Sequence, residues 1–436
     1  MIRSERLAYS TIGARFRLRT IRPTNAVGHR INLWRDGLVA NRRPFRHPPI
    51  HPTVSMGRIL YVARTIGNYG ASRMTMHYAI ALARAGHEVT IAYGSSADGG
   101  EHSPMRRLTS EGIGLVNTPN LQWAFVRGGC RTIDRLAAGA DVVISSHLRD
   151  IPAAMAAAHR GGARGVAMLQ NLPQPAGLGK PIKRWLYRRA INRHADIAVA
   201  VGEGVRRHVI DHEGAGPDRV ITIPNGIDLE AFPPPVGDER GSVRREFGIA
   251  DDERIVVNLA RINRQKAQDV LINAVAAMDD GRRGRLKILI AGDADAKDEE
   301  TAREYANLAR TRGVADRIIW GGFREDVHRL LYGCDASVLS SRWEGLPIAL
   351  LESMAAELPF IVTEFGTEVP DVRPGFNGWQ VPTEDPASLA RALEALMDTP
   401  EDALRGIGRR GREIVERHYS LDVGRTRFVR TIEDRL

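Results

Sequence analysis

From Ile59 onward, short apolar runs alternate with helical patterns, and that alternation leaves few folds open. The first half reads ILYVA, HEVTIAY, GIGLVN, DVVISS, GVAMLQ, DIAVAV and VITIPN, and the second RIVVNLA, KILIAGD, RIIWGG, ASVLSS, PFIVTE and GWQVP. Strands separated by helices predict parallel sheets covered on both faces. Between the halves lies PNGIDLEAFPPPVGDERGS, rich in Pro, Gly and Asp, which predicts a hinge and linker. A chain of 436 residues is too long for a single core. The expected fold class is α/β, with two doubly wound, Rossmann-like domains over residues 56–230 and 231–415 facing across a cleft, then a helical end over 416–436. The GxGxxG dinucleotide fingerprint is absent, which argues against a standard NAD site.

Composition narrows the classes further. An apolar share of 43% with 26% charged residues is ordinary for a globular protein. No run approaches the eighteen or so apolar residues of a spanning helix. The two cysteines, Cys130 and Cys334, fall in different predicted domains, so a structural disulfide is not expected and a reducing cytoplasm fits. Net charge is +10, but residues 1–55 carry eleven arginines against only Glu5 and Asp36. With the remainder closer to neutral, nucleic-acid binding is not expected. Residues 1–55 show no sustained periodicity and read as a disordered basic extension or the product of an early start codon. The segment GKPIKRWLYRRAINRHAD reads as a basic amphipathic helix, suited either to an anionic membrane surface or to packing its stripe of Ile182, Trp185, Leu186, Ala190 and Ile191 on the sheet.

Residues 336–378 bring chemistry into that frame. A strand (ASVLSS) leads into a loop and then a helix whose first position suits Pro347. Glu344 falls on the loop and Glu352 in the second helical turn. The N–H groups of Gly345, Leu346 and Ile348 open onto the loop and suit a diphosphate. A carboxylate one turn further can accept hydrogen bonds from a vicinal diol such as a ribose. At the end of strand RIVVNLA, Arg261 and Lys266 reach the same crevice and suit the phosphates, where they would stabilise charge on a departing diphosphate. The pattern points to a nucleotide-sugar site.

The segment SSRWEGLP followed by ESMAAELPFIVTE resembles the Glu-x7-Glu region of the family 4 glycosyltransferases, and further matches run from about residue 58 to about 415. The resemblance implies the GT-B fold, with residues 56–230 as acceptor domain, 231–415 as donor domain and the last helix crossing back onto the first. It implies a retaining glycosyltransferase moving a sugar from a nucleotide-diphospho-sugar to a saccharide or lipid-linked acceptor, in cell-surface polysaccharide or glycolipid biosynthesis. Glu344 would then contact the donor sugar and Glu352 the ribose. The family pattern GRLxxxKG appears as ARINRQKA, keeping Arg261 and Lys266 but losing both glycines. By the same resemblance His147 faces the donor sugar, Gly70 belongs to a phosphate-approaching loop in which Ser72 is a plausible N-cap, and Gly322, Phe323 and Arg324 border the nucleobase. The PNGID hinge, with Asn225, is architectural. No cofactor and no metal are expected, although Asp293-Ala294-Asp295 has the form of a metal-binding turn. The expected location is cytoplasmic, with peripheral contact at the inner face of the plasma membrane. Two rivals remain open: a GT-B sugar-nucleotide epimerase, and a non-enzymatic basic polyanion-binding protein.

Overall fold

Among the described residues, thirteen strands form two sheets, seven in the first and six in the second, as the apolar runs predict. The computed structural model describes residues 56–67, 70–96, 103–119, 121, 130–172, 180–365 and 375–434. The predicted extension over residues 1–55 lies outside them. The first sheet contains β1 (Arg58–Ile66), β2 (Glu88–Ser96), β3 (Gly114–Asn117), β4 (Val142–Ser145), β5 (Arg164–Leu169), β6 (Ile197–Ala200) and β7 (Val220–Thr222). The second contains β8 (Arg254–Leu259), β9 (Leu286–Ala291), β10 (Ile318–Gly322), β11 (Ala336–Leu339), β12 (Phe360–Thr363) and β13 (Trp379–Val381). Their orders are 3-2-1-4-5-6-7 and 10-9-8-11-12-13, and every pairing is parallel. Strands β4, β6, β11 and β12 are buried at every position, because helices cover both faces. Strand order reverses between β1 and β4 and again between β8 and β11. The carboxyl ends of those strand pairs are where open α/β sheets bind ligands.

The helices that matter for the cleft are α1 (Gly70–Arg84), α2 (Ile151–Gly161), α3 (Lys180–Arg189), α4 (Gln268–Ala277), α5 (Ile348–Ala355), α6 (Glu401–His418) and α7 (Leu421–Glu433). Two termini differ from expectation by a residue or two. Pro347 is the N-cap of α5 (φ −70°, ψ 126°), and its carbonyl accepts from Leu350 N at 3.1 Å. The ring therefore fixes the entry to the helix just before its first turn. Ser72 lies inside the first turn of α1, since that helix already starts at Gly70. Its hydroxyl accepts from Gly67 N at 2.8 Å and donates to the Thr65 carbonyl at 3.0 Å, tying the loop to the end of β1.

The helical end divides at Tyr419–Ser420. Ile227 N donates to the Tyr419 carbonyl at 2.8 Å, and Leu421 N donates to Ile227 at 2.9 Å. A short bridge from the hinge thus ends α6 and starts α7. Gly226 permits this approach, because a Cβ there would lie 2.6 Å from Leu421 Cα. Phe428 of α7 stacks on Tyr78 of α1 with ring centroids 4.3 Å apart. Burying that ring contributes about 2 kcal/mol, so the last helix is fastened to the first sheet's layer. Helix α3 splits its apolar stripe. Tyr187 is buried, as are Ala190 and Ile191 in the turn that follows the helix, whereas Ile182 and Trp185 are 67% and 57% exposed.

Candidate functional site

The loop after β8 carries Arg261 and Lys266, and it is shaped by close backbone contacts. Ile262 N donates to the Asp293 carbonyl at 3.0 Å. Gly292 (φ +149°) allows this neighbour to lie close, since a Cβ would fall 2.3 Å from the Ala260 carbonyl oxygen. Lys266 N donates to Asn263, and Ala267 then turns through the left-handed region (φ 54°, ψ 44°) to enter α4. That conformation is what a glycine supplies freely, which accounts physically for the glycine after the lysine in GRLxxxKG. An alanine holds it here at a cost of about 1 kcal/mol.

This turn delivers Lys266 to Glu344. The Nζ lies 2.5 Å from Glu344 Oε1, and the same oxygen accepts from Ser341 Oγ at 2.8 Å. Gln265 Nε2 donates to Oε2 at 3.3 Å. Glu344 is buried, and the Lys266 side chain is only 16% exposed. The carboxylate is therefore oriented by donors from the ends of two adjacent strands, and removing Lys266 would leave it in a poorly solvated position with less compensation. Arg261 pairs with Asp295 at 2.7 Å, both side chains being about half exposed. The Asp293-Ala294-Asp295 turn thus holds an arginine. Among the described residues, no group of three or more His, Cys, Asp or Glu side chains could hold a metal ion.

Helix α5 projects its tip into the first half. A Cβ on Gly345 would lie 2.4 Å from the Gln170 carbonyl oxygen at the end of β5, so only glycine fits. Asn225 Nδ2 donates to the Leu346 carbonyl at 3.0 Å, and Gly70 abuts Ile348. Arg73 of α1 reaches Glu352, Nη1 to Oε1 2.7 Å, across 279 residues of sequence. Glu352 is buried, and the Arg73 side chain is 32% exposed. Sequence reasoning missed Arg73 and assigned Asn225 only to the hinge. The available signal was slight: Arg73 falls one turn after Gly70 on a helix starting at the cleft.

On the first sheet, His147 follows β4, and its carbonyl accepts from Asp150 N at 2.8 Å to start α2. Its Nδ1 is buried with no hydrogen-bond partner among the described residues. Burial holds its pKa below the usual histidine value; Asp150 opposes this and Arg64 adds to it. Asp150 is 1% exposed. Its Oδ1 accepts from Arg64 Nη2 at 2.9 Å, while Oδ2 is buried with no partner. Burial raises the Asp150 pKa, against the pull of Arg64 and His147.

The turn expected at the nucleobase ends β10. Gly322 has φ +66° and neighbours Asp293, so this turn borders the Arg261 loop. Phe323 is 62% exposed and open to stacking. Arg324 is held by Asp326 at 2.8 Å and Glu246 at 2.7 Å, which leaves its guanidinium committed to carboxylates. Hydrogen bonds from Arg324 and Arg329 hold the Asp326 carboxyl well below the usual range. Cys130 and Cys334 are both free thiols, and burial pushes that of Cys334 up.

Two sheets of this topology, with charged groups gathered at their switch points, define the GT-B class. Its solved structures include Anabaena Alr3699/HepE in complex with UDP-glucose, which is 18% identical with a TM-score of 0.74 over 87% of this chain and 100% of that one. The family model described as glycosyl transferases group 1 matches residues 239–413, and that described as glycosyltransferase family 4 matches residues 69–231. The chain belongs to the family 4, group 1 glycosyltransferases. Similar relatives include the D-inositol 3-phosphate glycosyltransferase of Geodermatophilus obscurus, 32% identical over 226 residues, or 50% of this chain and 49% of the relative. The enzyme of that name from Actinosynnema mirum is 34% identical over 202 residues, 44% of this chain and 47% of the relative. The chain thus spans about half the length of these relatives.

Proposed function

We propose that the protein is a retaining glycosyltransferase that moves a sugar from a nucleotide-diphospho-sugar to a saccharide or lipid-linked acceptor in cell-surface polysaccharide or glycolipid synthesis. The observation that carries this reading is the Lys266–Glu344 contact, 2.5 Å long, at the switch point of the second sheet; Arg261, five residues earlier in the same loop, pairs with Asp295. Lys266 and Arg261 bind the donor's diphosphate and stabilise its charge as it leaves, a contribution on the order of 3 kcal/mol per group to the barrier. Glu344 orients the donor sugar, Glu352 accepts from the ribose hydroxyls, and Gly322 and Phe323 border the base. Gly345 and Leu346 bring the tip of α5 close to the phosphates, and Gly70 does so from the opposite side. His147 faces the sugar. The acceptor hydroxyl attacks from the face the diphosphate leaves, and the departing diphosphate takes its proton, so no separate base and no metal ion are required.

In this reading residues 56–230 form the acceptor domain and 231–415 the donor domain. Lipid-linked acceptors suit helix α3, whose exposed Ile182 and Trp185 stand beside Lys183 and Arg189 and favour peripheral contact with an anionic bilayer. No helix among the described residues is long and apolar enough to cross a membrane.

The test is thermal-shift and calorimetric screening against UDP, GDP and their sugars, followed by transfer assays with chelator present. Binding of one sugar nucleotide and chelator-resistant transfer with retained anomeric configuration is the expected result. Lack of binding to every sugar nucleotide overturns the reading.

A further inference from the structure

Arg73 is a cleft cation to which the donor chemistry above gives no role. It extends from the first turn of α1 on one sheet's layer to Glu352 on the other, meeting Oε1 at 2.7 Å. A guanidinium released from Glu352 loses its carboxylate partner and is drawn toward an anion in the cleft. Glu352 is only 5% exposed, and Arg73 covers its Oε1 at 2.7 Å. A vicinal diol that seeks both carboxylate oxygens from the cleft has to approach past that guanidinium, so ribose and Arg73 compete for Glu352. A diphosphate attached to that ribose arrives within a few bonds of the contested oxygen.

We propose that Arg73 is a donor-responsive latch: it holds Glu352 across the cleft before the nucleotide binds, then turns to the donor's diphosphate when the ribose hydroxyls take Glu352. This rests on the nucleotide-sugar reading and adds to it a residue from the opposite domain. It couples recognition of ribose to recognition of phosphate. A nucleoside alone must displace the guanidinium and offers it nothing, whereas a nucleoside diphosphate supplies the replacement partner.

Calorimetry on the full chain tests this with four probes, uridine, UDP, guanosine and GDP, on the parent, Arg73→Gln and Arg73→Lys. For the base that the protein accepts, Arg73→Gln is expected to bind the nucleoside several-fold more tightly than the parent and the diphosphate about tenfold more weakly, a pair of opposite shifts. Arg73→Lys should recover part of the diphosphate affinity. A merely structural role for Arg73 weakens both ligands together; that result, or unchanged affinities for both, overturns the latch while leaving the nucleotide-sugar reading intact. A parent protein that binds neither diphosphate overturns both. Thermal melts of the three proteins identify any variant that loses its fold, in which case the Arg73→Lys pair of affinities decides.

Discussion

On the second sheet's edge, Glu344 accepts hydrogen bonds from Lys266, Ser341 and Gln265. Across the cleft, His147 Nδ1, Asp150 Oδ2 and Gln170 Nε2 are buried with no partner among the described residues. The Glu344 carboxylate is matched within the protein, although Gln268 Oε1 at the start of α4 is buried without a partner, while the first sheet's edge leaves three polar atoms to be matched from outside. An unpaired buried polar atom costs about 1–3 kcal/mol, so the first sheet's edge is favourable for a ligand that brings hydroxyl groups. The second edge instead presents ordered charge that does not need reorganising when a diphosphate leaves. The contrast suits a donor held by one half and an acceptor presented by the other.

The strongest way to break this comparison is Lys266→Ala. Turnover is expected to fall at least 100-fold, the equivalent of about 3 kcal/mol. A near-parental kcat would remove the matched edge from the chemistry. Gly345→Ala comes next. Its methyl group would collide with the Gln170 carbonyl oxygen, so the halves must separate slightly. Misplacement on that scale lowers kcat/KM by tens of fold, with a lowered melting temperature from the backbone clash; equal activity in the folded variant would mean the edges need not touch.

The pH response separates the halves further. The His77 pKa is lowered to about 3 from 6.5. Because the unfolded chain takes the proton first, the stabilisation is complete above about pH 6.5 and is lost as pH falls toward 3. The slope is roughly 1.4 kcal/mol per pH unit for this one group. Urea denaturation between pH 6.5 and 4.5 should show that loss, and His77→Gln should flatten it. Asp150→Asn sharpens the acceptor side: a rise of about tenfold in acceptor KM with unchanged donor affinity is expected, and a change in donor affinity alone would reverse the assignment. The smallest effect belongs to Ala267→Gly. Relief of left-handed strain is offset by a more flexible unfolded chain, so stability should stay within about 1 kcal/mol in thermal melts.

The central strands were legible because a β-strand buried on both faces must be an unbroken apolar run, and the more exposed β3 and β10 were legible from the alternation with helices that surrounds them. The second sheet's site was legible for a related reason. Glu344, Glu352 and Pro347 lie within a few residues of one another, and Arg261 and Lys266 follow a strand end, so local geometry limits where they can go. Even there, the capping of α5 shifted by one position, since helix ends depend on the hydrogen bonds that the flanking chain finds. The role of Arg324 was obscured in a different way. Its ion pairs with Glu246 and Asp326 join a distant helix to its own turn.

Amino-acid order by itself determined the two parallel layers, the segment that joins them and the clustering of charge after β8 and β11, because each follows from periodicity or from spacing along a few turns. Only the tertiary structure decided that Arg73 meets Glu352, that Gly345 lies against Gln170, and that Ile182 and Trp185 point outward while Tyr187 turns in. Those outcomes depend on how two separately formed layers approach each other, and sequence spacing carries no information about contacts between residues hundreds of positions apart.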